Sequence, residues 1–335
     1  MSNTVKDKKT VTFYLLSGSF LLTVTGIVIA LMVGAKYIRP DVVLKSLFAF
    51  KEELDFQLVR DVRLPRALCA ALVGAVLGVS GAIMQGVTRN PISEPSIMGI
   101  TQGATLAIAI SYLSGTVKSI FGNMGAAFLG AFASGVFVLF FSIQKSKRLN
   151  PSRLVLAGTA LSTFFISLAS AIGLLTNMSQ NLAFWISGGF RTASWQSVWL
   201  IGIIGIAGIF GAILLASDIN AVNLGDDVAI GLGVNPTRVK ISSFILLIPM
   251  CAAAVAIAGN ISFVGLIIPQ ITQKLTGQDY RRVIPCAAGL GAVLLTYSDI
   301  GARMVNVPYE TPVGLFTAFI GVPFFMYLLR REKVS

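Results

Sequence analysis

Three arginines carry the clearest side-chain chemistry in this 335-residue chain. Arg63 and Arg66 stand in the run Arg63-Leu64-Pro65-Arg66, and Arg303 stands in Gly301-Ala302-Arg303-Met304. Guanidinium forks suit two-pronged pairing with carboxylates. Pro65 suits a first helical turn, and residues 63 and 66 are three apart, hence on one helical side. Two uses fit: anchoring at a membrane surface, or docking the acidic side chains of an external protein.

A second candidate is residues 217–240, a polar island between long apolar runs. Asp226 and Asp227 open a short amphipathic helix there, because acids in a first turn suit the positive end of the helix dipole. Val228, Ile230 and Leu232 are available for one side. Gly233 and then Asn235-Pro236 stop the helix, and Arg238 and Lys240 lead into the next apolar run. The segment is either a handle that a cytosolic machine pushes on or an amphipathic connector lying on the membrane surface. A third candidate is the run from Gln85 to Pro95. Asn90-Pro91 and Glu94-Pro95 make a rigid turn, which reads as a tight loop or as a cytosolic constriction.

Much chemistry is excluded. The chain has no histidine. Cys69, Cys251 and Cys286 are scattered in apolar stretches without metal-ligand spacing and read as small core fillers. No metal site and no cofactor are expected. No Gly-Lys-Ser/Thr phosphate loop occurs, so the chain does not bind ATP by itself. Ile186-Ser187-Gly188-Gly189 imitates the signature of transport ATPases but reads as a turn. Asp299 is the one acid set within an apolar run, near its end. An ion-coupled carrier usually needs an intramembrane carboxylate deeper than that.

These residues must be held by membrane-spanning helices. The chain is 55% hydrophobic and 12% charged, with a mean hydropathy of +0.82. Soluble domains carry about 25% charged residues. Apolar runs able to cross a bilayer fall at 11–34, 64–85, 96–113, 121–143, 153–175, 196–216, 239–258, 262–275, 283–302 and 312–329. The eighth is short and is expected to break at Pro269. The fold class is therefore all-α: a polytopic membrane protein of about ten helices, one transmembrane domain over 1–335. The first run is longer than a signal-peptide core and is taken as retained. An even number of spans puts both termini on one side. With that side cytosolic, sixteen of the 26 Lys and Arg lie inside, and so does 217–240. The net charge of +12 sits at helix ends rather than in a nucleic-acid-binding patch. Small residues at four-residue spacing (74–82, 124–135, 287–292) allow close helix packing, and Pro249, Pro269 and Pro323 favour broken helices.

Seven stretches, in order, resemble the permease subunits of bacterial iron-siderophore and cobalamin uptake ABC transporters. They are RLPRALCAALVGAVLGVSGAIMQGVTRNPISEPSIMGI, LVLAGTAL, FWISGGF, VNLGDDVAIGLGV, GNISFVGLIIPQ, RRVIPCAAGLGA and ETPVGLFTAFIGVPFF. The likeness runs from about residue 60 to 330. It implies a type II importer permease, a non-catalytic subunit in the bacterial cell membrane. A second permease subunit, identical or paralogous, would complete the pathway. Two cytosolic ATPase subunits would grip 223–237 through Leu224, Gly225, Asp226, Asp227, Ala229, Leu232 and Gly233. An extracytoplasmic siderophore-binding protein would set its acidic residues against Arg63, Arg66 and Arg303. The cytosolic gate of the family maps onto Asn90 and Ile92, and onto Pro151 and Ser152. Ferric siderophores are the expected cargo. Cobalamin or haem is the alternative within the class, and an ion-coupled secondary transporter the alternative outside it. Gln270 and Tyr280 stand where the family often has His, and Thr311 where Leu often follows the acid. Pro151 replaces a more polar position.

Overall fold

The computed structural model describes residues 2–49, 53–115, 119–143 and 151–332. These are almost wholly helical, with no β-strand among the described residues. The chain opens with α1 (Ser2–Met32) and short α2 (Pro40–Phe48) and α3 (Leu54–Gln57). A π-helical turn, Leu58–Arg63, runs into α4 (Leu64–Thr88). A 3-10 turn, Pro95–Met98, precedes α5 (Ile100–Ser114), α6 (Ile120–Ser142), α7 (Pro151–Leu175), α8 (Ser179–Ile186) and α9 (Trp195–Asn223). The rest is α10 (Asp226–Gly231), α11 (Pro236–Ala258), α12 (Val264–Thr276), α13 (Tyr280–Met304) and α14 (Val313–Glu332).

Each of the ten apolar runs falls on a helix. Among the described residues, seven helical stretches are long and apolar enough to cross a membrane: Lys8–Met32, Leu54–Thr88, Phe121–Ser142, Arg153–Leu175, Trp195–Asn223, Pro236–Ala258 and Tyr280–Met304. The apolar stretches Ile100–Ser114 and Val313–Met326 are shorter, and α12 has only 13 residues. The polar island is also smaller than its sequence suggests. Residues 217–223 continue α9, and α11 already begins at Pro236.

Helix α4 is the hub. Nearly all of its residues from Pro65 to Thr88 are buried, against α9, α11, α12 and α13. Its glycines explain how. A Cβ on Gly74 would run into the Gly291 carbonyl of α13, and a Cβ on Gly81 into the backbone of Gly265 in α12. Hydrophobicity does not attract helices to one another in lipid, so such close backbone approach supplies the packing energy.

The prolines do not break helices as expected. Pro249, Pro269 and Pro323 all lie inside continuous helices. At Pro269 the reason is visible. Proline has no N–H for the carbonyl four residues back, here that of Gly265. Buried Gln85 of α4 fills the gap: its Nε2 donates to Gly265 O at 3.3 Å and to Leu266 O at 3.1 Å. Membrane helices tolerate proline where a neighbour satisfies the freed group. The real break is the non-helical link 259–263 between α11 and α12, which ends on Phe263 in a left-handed conformation (φ 70).

Candidate functional site

Two polar clusters stand apart from the apolar body, at opposite ends of α4. The first gathers Arg66 and Arg303 around Asp299, in the last part of α13, with Arg63 at the same end of the molecule. Arg66 donates from Nε and Nη2 to Asp299 (2.8 to 3.2 Å) and from Nη1 to Glu310 at 2.6 Å. Arg303 lies one turn beyond Asp299, its Nε 3.3 Å from Oδ2, and its Nη2 donates to Ala30 O at 3.2 Å. Arg63 donates to Leu31 O at 2.8 Å and to Lys36 O, closing the end of α1, where carbonyls lack partners. Arg191 reaches the rim of the cluster, 3.6 Å from Glu310.

This changes what the arginines offer. The structure brings all three to one end of the molecule, yet Arg63, Arg66 and Arg303 are 5%, 7% and 7% exposed. Arg63 and Arg66 spend their forks on Asp299, Glu310 and backbone carbonyls, while Arg303 donates to Ala30 O and faces Asp299 by charge, its buried Nε making no hydrogen bond. They are not the open carboxylate receptors that their sequence pattern suggests. Burial is the reason. A guanidinium removed from water needs an opposite charge and filled hydrogen bonds, and Asp299 sits between two of them.

The second cluster is built on α10. Gly225 (φ 126) turns the chain out of α9 in a conformation that favours glycine. Asp226 and Asp227 then occupy the first helical turn, as expected. Leu232 caps the helix and Gly233 (φ 79) ends it. The Asn235 side chain accepts from Arg238 N and so caps α11, with Pro236 at its first position. Only Ala229 turns fully inward, and Leu224, Ile230 and Leu232 are 68%, 59% and 63% exposed. Residues 228, 230 and 232 do not form one apolar face against the body, because a spacing of two on a helix spreads them around it. An open pocket beside α10 is lined by Asp226, Asp227, Val234, Asn235, Thr237 and Lys240.

What anchors α10 was not legible in its own residues. Lys240, one turn into α11 and almost fully buried, donates from Nζ to both Asp226 oxygens at 2.9 and 2.8 Å. Arg89, at the end of α4, lies 3.6 Å from the same carboxylate. The pairing of Asp226 with Lys240 had a sequence signal, opposite charges across a short turn. The Arg89 contact spans well over a hundred residues and had none.

Arg89 begins the loop that carries Asn90 and Ile92. Asn90 is half-buried and accepts from Ile92 N at 3.1 Å, an Asx turn. Gln270 donates to Pro91 O at 3.2 Å and to Gln85 Oε1 at 2.8 Å. Glu94 accepts from Phe263 N at 2.8 Å. The loop is thus tied to α12 at two points, and the polar Gln270 makes one of them. Pro151 and Ser152 open α7, but their side chains lie outside the described residues. Ser187-Gly188-Gly189 forms a turn between α8 and α9, with Gly189 N donating to Ala258 O at 2.8 Å. The three cysteines are free and buried.

Comparison with known proteins is consistent across sequence and structure. Residues 21–331 match the FecCD transport family. The iron(3+)-hydroxamate import system permease protein FhuB of Bacillus subtilis (strain 168) is 44% identical, over 95% of this chain and 83% of its own length. The ferric enterobactin transport system permease protein FepD of Escherichia coli (strain K12) is 35% identical, over 94% of each. Among solved structures, a chain described as of metal-chelate ABC transporter type, in an inward-facing conformation, superposes with a TM-score of 0.82. It is 29% identical, over 94% of this chain and 98% of that one.

Proposed function

Because the chain belongs to the FecCD transport family, as a non-catalytic, multi-pass permease subunit of the bacterial inner membrane, we propose that it carries ferric siderophores inward as half of a permease pair, identical or paralogous, driven by two cytosolic ATPase subunits. The observation that carries the coupling is α10. Its frame is pinned to α11 by Asp226 and Lys240, yet Leu224, Val228, Ile230 and Leu232 remain exposed. Apolar side chains on a polar, water-facing segment mark a surface that a partner covers. Leu224, Gly225, Asp226, Asp227, Ala229, Leu232 and Gly233 form this handle, with both termini on the same cytosolic side and ten helices crossing.

The cargo path fits a face of α7. Thr159, Thr163, Ser167 and Ser170 are all exposed along it. Thr163, Ser167 and Ser170 donate their hydroxyls to carbonyls four residues back. Hydroxyls bonded back to their own helix are tolerated at a subunit contact as in lipid, so the stripe marks a face that a second subunit can cover, and a polar chelate needs no bond to the protein. Asn90 and Ile92, together with Pro151 and Ser152, are the proposed cytosolic gate. An extracytoplasmic siderophore-binding protein docks at the opposite end. There Arg66 holds Glu310 at the rim, while Arg63 and Arg303 fasten the end of α1 through Leu31 O, Lys36 O and Ala30 O, so the three act by positioning the docking rim.

The test is purification of the full chain with its membrane partners. An ATPase should copurify, and labelled ferric siderophore should accumulate in reconstituted vesicles only with ATP. A thiol probe at Gly231→Cys should react from the cytosolic side. Accumulation without any ATPase, or labelling from the other side, would sink the reading.

A further inference from the structure

Arg89 is an odd residue for its place. It ends α4 in the left-handed conformation (φ 54), its N–H donating to Gln85 O. Glycine takes that conformation without strain, whereas a side chain with a Cβ does not. The side chain held there reaches away from its own helix. Nη2 lies 3.6 Å from Asp226 Oδ1, and Nη1 lies 3.6 Å from where a Cβ on Gly225 would stand. The guanidinium therefore sits against the first turn of α10, on a carboxylate that Lys240 already holds.

The other end of Arg89 is equally committed. The next residue, Asn90, folds back on Ile92 N. Thr88 donates to Met84 O at 2.6 Å and its Oγ1 pairs with Ser93 Oγ at 2.9 Å. Gln270 holds Pro91 O, and Glu94 holds Phe263 N. A loop fastened at each step cannot absorb a displacement at Arg89 by flexing. It must pass that displacement on to Asn90, Ile92 and α12.

We propose that Arg89 is a positioning residue: its guanidinium ties α10 to the loop carrying Asn90 and Ile92, so that movement of α10 moves that loop. This rests on the reading of α10 as the ATPase handle. A lone exposed ion pair would be a weak link. Here two cations share Asp226, one of them buried, and both ends are fastened, so displacement has a contiguous route.

The test separates the guanidinium from the backbone. Arg89→Gly removes the charge while relieving the left-handed strain, and Arg89→Lys keeps the charge. Both are made in the full complex, reconstituted with its ATPase and binding protein and given labelled ferric siderophore. Arg89→Gly should copurify with the ATPase and hydrolyse ATP within twofold of wild type, while uptake per ATP falls at least fivefold. Arg89→Lys should transport within twofold of wild type. The proposal is overturned if Arg89→Gly transports as wild type does, if both variants lose uptake equally, or if Arg89→Gly loses the ATPase itself. A wild-type chain that captures no ATPase overturns the underlying reading of α10 instead, and is visible before any variant is made.

Discussion

Replacing Asp299 by asparagine tests the arginine cluster most directly. Asp299 is 1% exposed and meets Arg66 at 2.8 Å and Arg303 at 3.3 Å. At about 3 Å and an effective dielectric of about 20, each contact is worth about 5 kcal/mol of attraction. Dehydrating the three charged groups offsets most of this. What counts is the loss when one member goes: breaking a buried ion pair costs about 3–5 kcal/mol, because the partner charge stays buried and unmatched. Asparagine keeps the shape and one acceptor, and Glu310 still serves Arg66, so we expect the lower end, about 3 kcal/mol. That is a drop of more than 100-fold in the ratio of folded to unfolded chain. Denaturant unfolding of the purified chain in detergent measures it. Adding Arg303→Met to Asp299→Asn should recover part of the loss, since it removes one of two facing cations. The two changes should be non-additive by about 0.5–3 kcal/mol. If Asp299→Asn unfolds within about 0.5 kcal/mol of wild type, or the double variant is the plain sum of the singles, the network reasoning fails. The same logic governs charge reversal. Arg66→Glu sets a third carboxylate against Asp299 and Glu310, so its uptake defect should come with loss of folded protein rather than from lost docking alone.

Three further predictions follow from the packing. Gln85→Leu leaves the Gly265 carbonyl opposite Pro269 without its donor; an unfilled buried acceptor costs about 1–3 kcal/mol, readable in the same unfolding assay. Gly81→Val drives a side chain into the α12 backbone, so the yield of monodisperse chain should collapse, whereas Gly231→Ala, with open space around it, should leave that yield unchanged. Cys69, Cys251 and Cys286 are all buried; a maleimide should label none of them in the folded chain and all three in denaturant, and labelling of any one before unfolding would contradict the packing.

The sequence by itself determined the class of molecule and the local punctuation. Apolar runs of bilayer length dictate helices, since every backbone polar group must be satisfied within the segment. The Asp226-Asp227 start and the stop at Gly233 and Asn235-Pro236 are local signals, and the structure places them where the residues predict. Glycine spacing foretold close packing, though not which backbones meet. Tertiary structure alone decided the rest. Pro269 looks like a helix breaker because its lost hydrogen bond is visible in one dimension and the donor from Gln85 is not. Arg63, Arg66 and Arg303 look like open receptors because sequence position carries no burial, and Asp299 and Glu310 reach Arg66 only across more than 230 residues. Arg89 meets Asp226 the same way. Long-range charge pairing depends on where helices stop relative to one another, and that is set by packing of the whole bundle, which no short stretch of residues encodes.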